Sequence, residues 1–258
     1  MQKTNVGFIG AGRVARIILG GWKHTGKMPA RVVLFDTNSE AAENLASMGM
    51  GIDVTDNVAE ATAQNIVFLA VHPPVMKDAA ETMRPHIKED AIVISLAPKF
   101  TISKLSEMLG GFRRIARLIP NAPSVVGRGY NPLAFSEVLS ESEKQALCEM
   151  FEPLGDCPVV DENQLEAYAI LSAMGPTYFW PQIFALQSLG EDFGLSKEAT
   201  TEALDKMLWG TMATIKESGL SPEQVQDLIP VKPMADEVQT LCQSYEQKLK
   251  GLMEKIRP

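Results

Sequence analysis

The stretch that most constrains this chain is Asn5-Val6-Gly7-Phe8-Ile9-Gly10-Ala11-Gly12-Arg13-Val14-Ala15. A short apolar run meets Gly10 and Gly12, and an amphipathic segment begins at Arg13, which is the order strand, tight turn, helix. Gly10 supplies the backbone angles of the turn, Gly12 lets a pyrophosphate approach the main chain, and Ala15 is small enough for the helix to press on the strand. The helix start adds unpaired N–H groups, from Arg13 and Val14 onward, and the positive end of a dipole. Glycines also gather in turns that bind nothing, so the string needs its context. It is followed by a second apolar run, Arg31-Val32-Val33-Leu34-Phe35, that stops at Asp36. A strand, a glycine turn, a helix and a second strand ending in an acid is the pattern of a dinucleotide site. A carboxylate at Asp36 takes the ribose hydroxyls of NAD and repels the extra phosphate of NADP. Its other reading is a loop carboxylate capping a helix from Ser39, and Thr37 and Asn38 are able to donate to a 2′-phosphate. The cofactor expected is therefore NAD or NADP, with the balance toward NAD.

Up to about Asp161, short apolar runs alternate with helical patterns, the signature of βαβ units feeding a mostly parallel, doubly wound sheet. Strands are expected at residues 64–71, 91–97, 114–119, 131–135 and 157–160. Helices are expected at 37–49, with a capping box of Thr37 and Glu40, and at 140–154. From Glu162 the strand signals almost vanish, and helices are expected at 167–174, 176–193, 196–218 and 234–256. The fold class is α/β, with a dinucleotide-binding domain at 1–161 and an all-helical domain at 162–258. Ligands of such sheets lie beyond the carboxyl ends of the strands. The expected cofactor rim therefore comprises Gly10, Ala11, Gly12, Arg13, Val14, Asp36, Thr37, Ala70, Val71, His72, Pro73, Ala97 and Asn121. His72 is also a candidate catalytic residue, because imidazole exchanges a proton near neutral pH, though it can equally just shape its loop.

A net charge of −8 disfavours nucleic acid as a partner, since phosphate backbones are neutralised by excess Lys and Arg. Cys148, Cys157 and Cys242 lie far apart with no C-x-x-C spacing, so neither a disulfide framework nor a zinc site is expected, and a reducing cytoplasm fits. No run of the length needed to cross a bilayer and no secretory signal is read, so no membrane partner is expected. The helical region holds many apolar residues for its size, Met207, Leu208, Trp209, Met212 and Ile215 among them. Such faces are either internal core or buried against a second subunit, and a homodimer or larger homo-oligomer is expected.

These residues resemble the pyrroline-5-carboxylate reductases over nearly the whole chain. Val6-Gly7-Phe8-Ile9-Gly10-Ala11-Gly12 is similar to the family's opening and Ala70-Val71-His72-Pro73 to its Ala-Val-Lys-Pro loop. Arg117-Leu118-Ile119-Pro120-Asn121-Ala122-Pro123 is similar to its Arg-x-Met-Pro-Asn-x-Pro segment, and Gly175-Pro176-Thr177-Tyr178 to its Gly-Pro-Ala-Tyr. The resemblance implies a Rossmann domain, an interlaced helical dimerisation domain, and reduction of a cyclic imine to proline with NADPH or NADH. Two departures stand out. The family's Ser-Gly-Ser-Gly-Pro reads Ser172-Ala173-Met174-Gly175-Pro176, and the Ser-Pro-Gly-Gly-Thr-Thr loop that holds the substrate carboxylate reads Lys232-Pro233-Met234-Ala235-Asp236-Glu237. The acids either oppose a carboxylate or simply cap the final helix. The resemblance thus adds Thr177, Lys232 and Asp236 to His72 as candidate catalytic residues; no His, Cys or carboxylate cluster has metal-ligand spacing, so no metal is expected. Three functions remain open: reduction of pyrroline-5-carboxylate, reduction of an imine lacking a carboxylate, or a sensor that binds the dinucleotide without turnover.

Overall fold

The structure is a computed structural model that describes residues 4–258. The first unit runs up to Met174 and takes in Leu252–Pro258; the second is Gly175–Gly251. In the first, β1 (Asn5–Ile9), α1 (Arg13–His24), β2 (Arg31–Phe35), α2 (Ser39–Ala46), β3 (Ile52–Val54) and α3 (Val58–Thr62) are followed by β4 (Ile66–Leu69) and α4 (Met76–Met83). Next come β5 (Ile92–Ser95), α5 (Ile102–Met108), β6 (Ile115–Leu118), β7 (Gly129–Tyr130) and β8 (Leu133–Phe135). The unit continues through α6 (Glu141–Phe151), β9 (Gly155–Asp156) and α7 (Leu165–Tyr168), which runs into a π turn at Ala169–Ala173. The main sheet has the order β3-β2-β1-β4-β5-β6-β8, parallel throughout except that β8 runs antiparallel to β6. This is the doubly wound Rossmann arrangement, and the order reverses between β1 and β4.

The central strands are apolar on both faces because helices cover both. Alternate residues go to opposite sides. Phe8, Phe68 and Ile94 join one core, and Ile9, Val67 and Val93 the other. In the first core, Phe8 and Phe68 stack at 4.4 Å, and Trp22 meets Phe68 edge-on while its indole N–H donates to the Met150 carbonyl at 3.0 Å. β3 is an edge with one half-buried and two exposed residues, and Asp53 on it pairs with Arg31 of β2 at 2.7 Å. The strand expected at 157–160 is reduced to a bridge between Val159 and Leu133 beside the two-residue β9.

The sheet-bearing unit extends past Asp161 because Glu162 and Glu166 are tied into it by a buried arginine, described below. The second unit is helical: α8 (Pro176–Asp192), α9 (Lys197–Glu217), α10 (Pro222–Asp227) and α11, which spans Ala235–Ile256 and whose last turn belongs to the first unit. α8 packs on α9, burying Thr200, and the rings of Tyr178 and Tyr245 lie 5.8 Å apart. Among the described residues no helix is long and apolar enough to cross a membrane.

Candidate functional site

The turn after β1 needs glycine for two reasons. Gly10 sits at φ +110, and a Cβ there would stand 2.6 Å from the Ala70 carbonyl oxygen. Its N–H donates to Phe35 at 2.8 Å, which joins the end of β1 to the end of β2. Gly12, the residue before α1, is different: a Cβ there would meet nothing within 4 Å, so its backbone borders open space. Among the described residues no side chain caps α1, and its first turn has no acid. Its first amides are therefore left for an external anion, favoured by the helix dipole. These observations fit a pyrophosphate.

Asp36, at the end of β2, is fixed on both oxygens. Oδ2 accepts from the Ala11 amide at 2.6 Å and Oδ1 from the Asn38 amide at 2.8 Å. The cap of α2 is Asn38, whose Oδ1 accepts from Ala41 at 3.2 Å. The capping box of Thr37 and Glu40 therefore does not form, and the alternative reading of Asp36 as the cap gives way to a carboxylate held against the glycine turn. Asp36 and the exposed Thr37 border a cavity of about 240 Å³ whose walls include Ile9, Phe35, Val71, Val75 and Ala79. Asp78 and Thr82 also line it, so the slot has mostly apolar sides and two carboxylates, Asp36 and Asp78, and is suited to a flat base and its ribose.

The remaining rim residues lie on the neighbouring strand ends. Ala70 follows β4 and its amide donates to Ile9 at 2.8 Å; Val71 and exposed His72 come next, and Pro73 opens a short 3₁₀ turn. Ala97 follows β5, with its amide on Ser95 Oγ at 3.4 Å. The cofactor residues expected from the sequence thus fall on the carboxyl ends of β1, β2, β4, β5 and β6. Asn121, after β6, has a largely structural engagement. Its Oδ1 accepts from the Tyr130 amide at 3.0 Å and its Nδ2 donates to the Ser172 carbonyl at 3.3 Å.

Sequence reasoning missed an ionic core beside this rim. Arg117 on β6 has a fully buried side chain, with Nη2 2.6 Å from Glu166 Oε1 and Nη1 3.1 Å from Glu162 Oε1. The same carboxylates accept from the loop after β5: Glu166 from the Lys99 amide at 3.0 Å, and Glu162 from the Ile102 amide at 2.6 Å. Among the described residues, Arg117 Nε and Glu166 Oε2 are buried and find no protein partner, so their charges rest on each other. Lys99 itself is the one described non-glycine residue with positive φ, +81. Such a backbone costs about 1–3 kcal/mol and persists only where its surroundings hold it. The only forewarning in the sequence is Pro98, which suits the position before such a residue.

Thr177, Lys232 and Asp236 belong to the second unit and are exposed. Thr177 is the second residue of α8, and Lys232 precedes α11. Asp236 and Glu237 lie in the first turn of α11, where the dipole favours negative charge.

Residues 5–99 match the model of a family described as NADP oxidoreductase coenzyme F420-dependent. The pyrroline-5-carboxylate reductase of Pseudomonas aeruginosa is 27% identical over 228 residues, 88% of this chain and 83% of that protein. The enzyme of that name from Pisum sativum is 27% identical over 223 residues, 86% of this chain and 81% of its own length. Among solved structures, a pyrroline-5-carboxylate reductase from Coxiella burnetii is 26% identical with a TM-score of 0.69, covering 99% of this chain and 95% of that one. The chain is similar over most of its length to the pyrroline-5-carboxylate reductases. The fold is shared with the Plasmodium falciparum pyrroline carboxylate reductase solved with NADP bound, at 20% identity and a TM-score of 0.73 over 99% of this chain and 95% of that one. These similarities are to NAD(P)-dependent oxidoreductases.

Proposed function

We propose that this chain is a divergent relative of the pyrroline-5-carboxylate reductases, an NAD(P)H-dependent reductase that delivers hydride to the C=N bond of a small imine. The substrate to test first is 1-pyrroline-5-carboxylate, which would give L-proline. The observation that supports the reading most is the uncapped start of α1 beside open Gly12, at the reversal of the strand order. A bound reduced nicotinamide supplies the hydride, so the chain's part is to bind, orient and exclude water. The amides at the start of α1 would hold the pyrophosphate, and Asp36 the ribose hydroxyls. His72, exposed after β4, is the candidate for keeping a proton near the imine nitrogen. Asp36 also supports a preference for NADH, since a 2′-phosphate beside it meets like charge.

The test is loss of NADH or NADPH absorbance with 1-pyrroline-5-carboxylate and, separately, with uncharged 1-pyrroline. Turnover of the first supports proline formation. The acids Asp236 and Glu237 favour a second reading, an imine without a carboxylate, and faster turnover of 1-pyrroline would select it. Tight dinucleotide binding with no turnover over an imine panel would leave a sensor.

The second unit supports association with another copy of the chain. Phe184, Trp209, Met212 and Ile215 are 63%, 72%, 56% and 56% exposed, far more apolar surface than a lone helical unit leaves to water. Light scattering should give the mass of a dimer or larger assembly, and Trp209→Glu should shift it toward one chain. A wild-type mass of one chain would refute this.

A further inference from the structure

The turn that ends β5 gives its third position a conformation suited to glycine and fills it with lysine. Pro98 followed by φ +81 at Lys99 is the pattern of a turn in which glycine normally takes that place. The structural work done there, donation to Glu166 at 3.0 Å, uses only the backbone N–H, which glycine also has. What lysine adds is an ammonium on a long stem. The residue is exposed, and among the described residues that ammonium has no carboxylate within 4 Å. Strained backbone held in place by buried partners is a recurring feature of functional sites.

Its position narrows the role. β5 lies between β4 and β6, on the opposite side of β1 from β2 and Asp36. With the ribose and base at Asp36, the reacting end of a dinucleotide and its substrate fall on the β4–β6 side of the crevice. Of the permanent cations on the carboxyl ends of those three strands, Arg117 is buried and paired twice, which leaves Lys99. We infer that Lys99 recognises the anionic group of the substrate. This rests on the reductase reading above and deepens it. The Arg117–Glu166 pair then acts as a positioning device, clamping the Lys99 amide so that the turn is set before substrate arrives.

The experiment separates the two readings. Protein saturated with NAD is titrated by calorimetry with tetrahydrofuran-2-carboxylate, a ring carboxylate with no reducible bond, in wild type, Lys99→Gly and Lys99→Arg. Loss of one charge-assisted contact should weaken binding in Lys99→Gly about tenfold to a hundredfold. Lys99→Arg should stay within a few-fold, and Lys99→Gly should melt no lower than wild type because its turn is unstrained. In turnover, Lys99→Gly should raise KM for 1-pyrroline-5-carboxylate about tenfold more than for 1-pyrroline. The inference is overturned if wild type does not bind the ring carboxylate, if Lys99→Gly binds it as tightly, or if that variant weakens NAD and carboxylate by the same factor. Absence of turnover with both imines removes the reductase reading, while a lysine-dependent carboxylate site in the same titration upholds the inference.

Discussion

Replacing Arg117 by methionine keeps the volume and removes the charge. The arginine side chain is fully buried and that of Glu166 is 1% exposed, with 2.6 Å between them, so the variant strands a carboxylate in the core with only the Lys99 amide for company. Glu162, at 31%, can turn to water and adds little. Breaking a buried pair from one side costs about 3–5 kcal/mol. For a chain of this length that is a melting temperature about 6–20 °C lower. In the double variant Arg117→Met with Glu166→Met, both charges of this buried pair are removed. The cost falls to that of an unpartnered Lys99 amide, about 1–3 kcal/mol. The double variant should thus be the more stable of the two by about 2 kcal/mol, read from urea unfolding by circular dichroism at fixed protein concentration. Hydrogen exchange at the Lys99 and Ile102 amides should accelerate in the single variant. A single-variant cost under about 1 kcal/mol, or a double variant no more stable than the single, would refute the reasoning.

Asp36→Ser should move the NADPH-to-NADH ratio of kcat/KM about tenfold to a hundredfold toward NADPH, and an unmoved ratio would show that Asp36 does not face the ribose. Glu143 closes a capping box on Ser140 and pairs with Arg114, and the Ser140 amide, the Ser140 hydroxyl and then Arg114 hold its carboxyl below the usual range. A lowered folded value means stability that is full above the ordinary glutamate range and lost as pH falls through the folded value. Glu143→Ala should therefore cost about 1 kcal/mol at about pH 7 and much less at about pH 3, and thermal melts showing a constant gap would contradict the assignment. Burial pushes the Cys157 thiol up to about 12. It should resist a maleimide until urea unfolds the chain, and labelling in the native state at the unfolded rate would argue against that burial.

How far the sequence spoke depended on how local the cause was. β1, α1 and β2 were legible because an apolar run, two glycines and an acid specify strand, turn and helix within a few residues of one another. β3 went unread because an edge strand with two exposed residues has no apolar run, and its pairing rests on β2 and on Arg31 with Asp53. The cap of α2 was misplaced by one residue, since nothing near Thr37 announces that Asp36 turns back to Ala11. Arg117 was read as part of a motif. Its partners lie 45 and 49 residues further on, a separation at which periodicity says nothing. The positive φ at Lys99 was hidden for the same reason, because Glu166 supports it from far along the chain.

The three tryptophans divide between the two units in a useful way. Trp22, walled by Phe8, Phe68 and Phe151 with its indole N–H satisfied, is fully buried, whereas Trp180 and Trp209 are 42% and 72% exposed. Their emission should therefore separate by colour, the buried indole at short wavelength and the exposed pair at long wavelength. Melting of the sheet would redden the first, and contact between copies would blue-shift the second. The molecule thus carries two native optical reporters, one for folding of the sheet and one that would respond to contact between copies, with no label added.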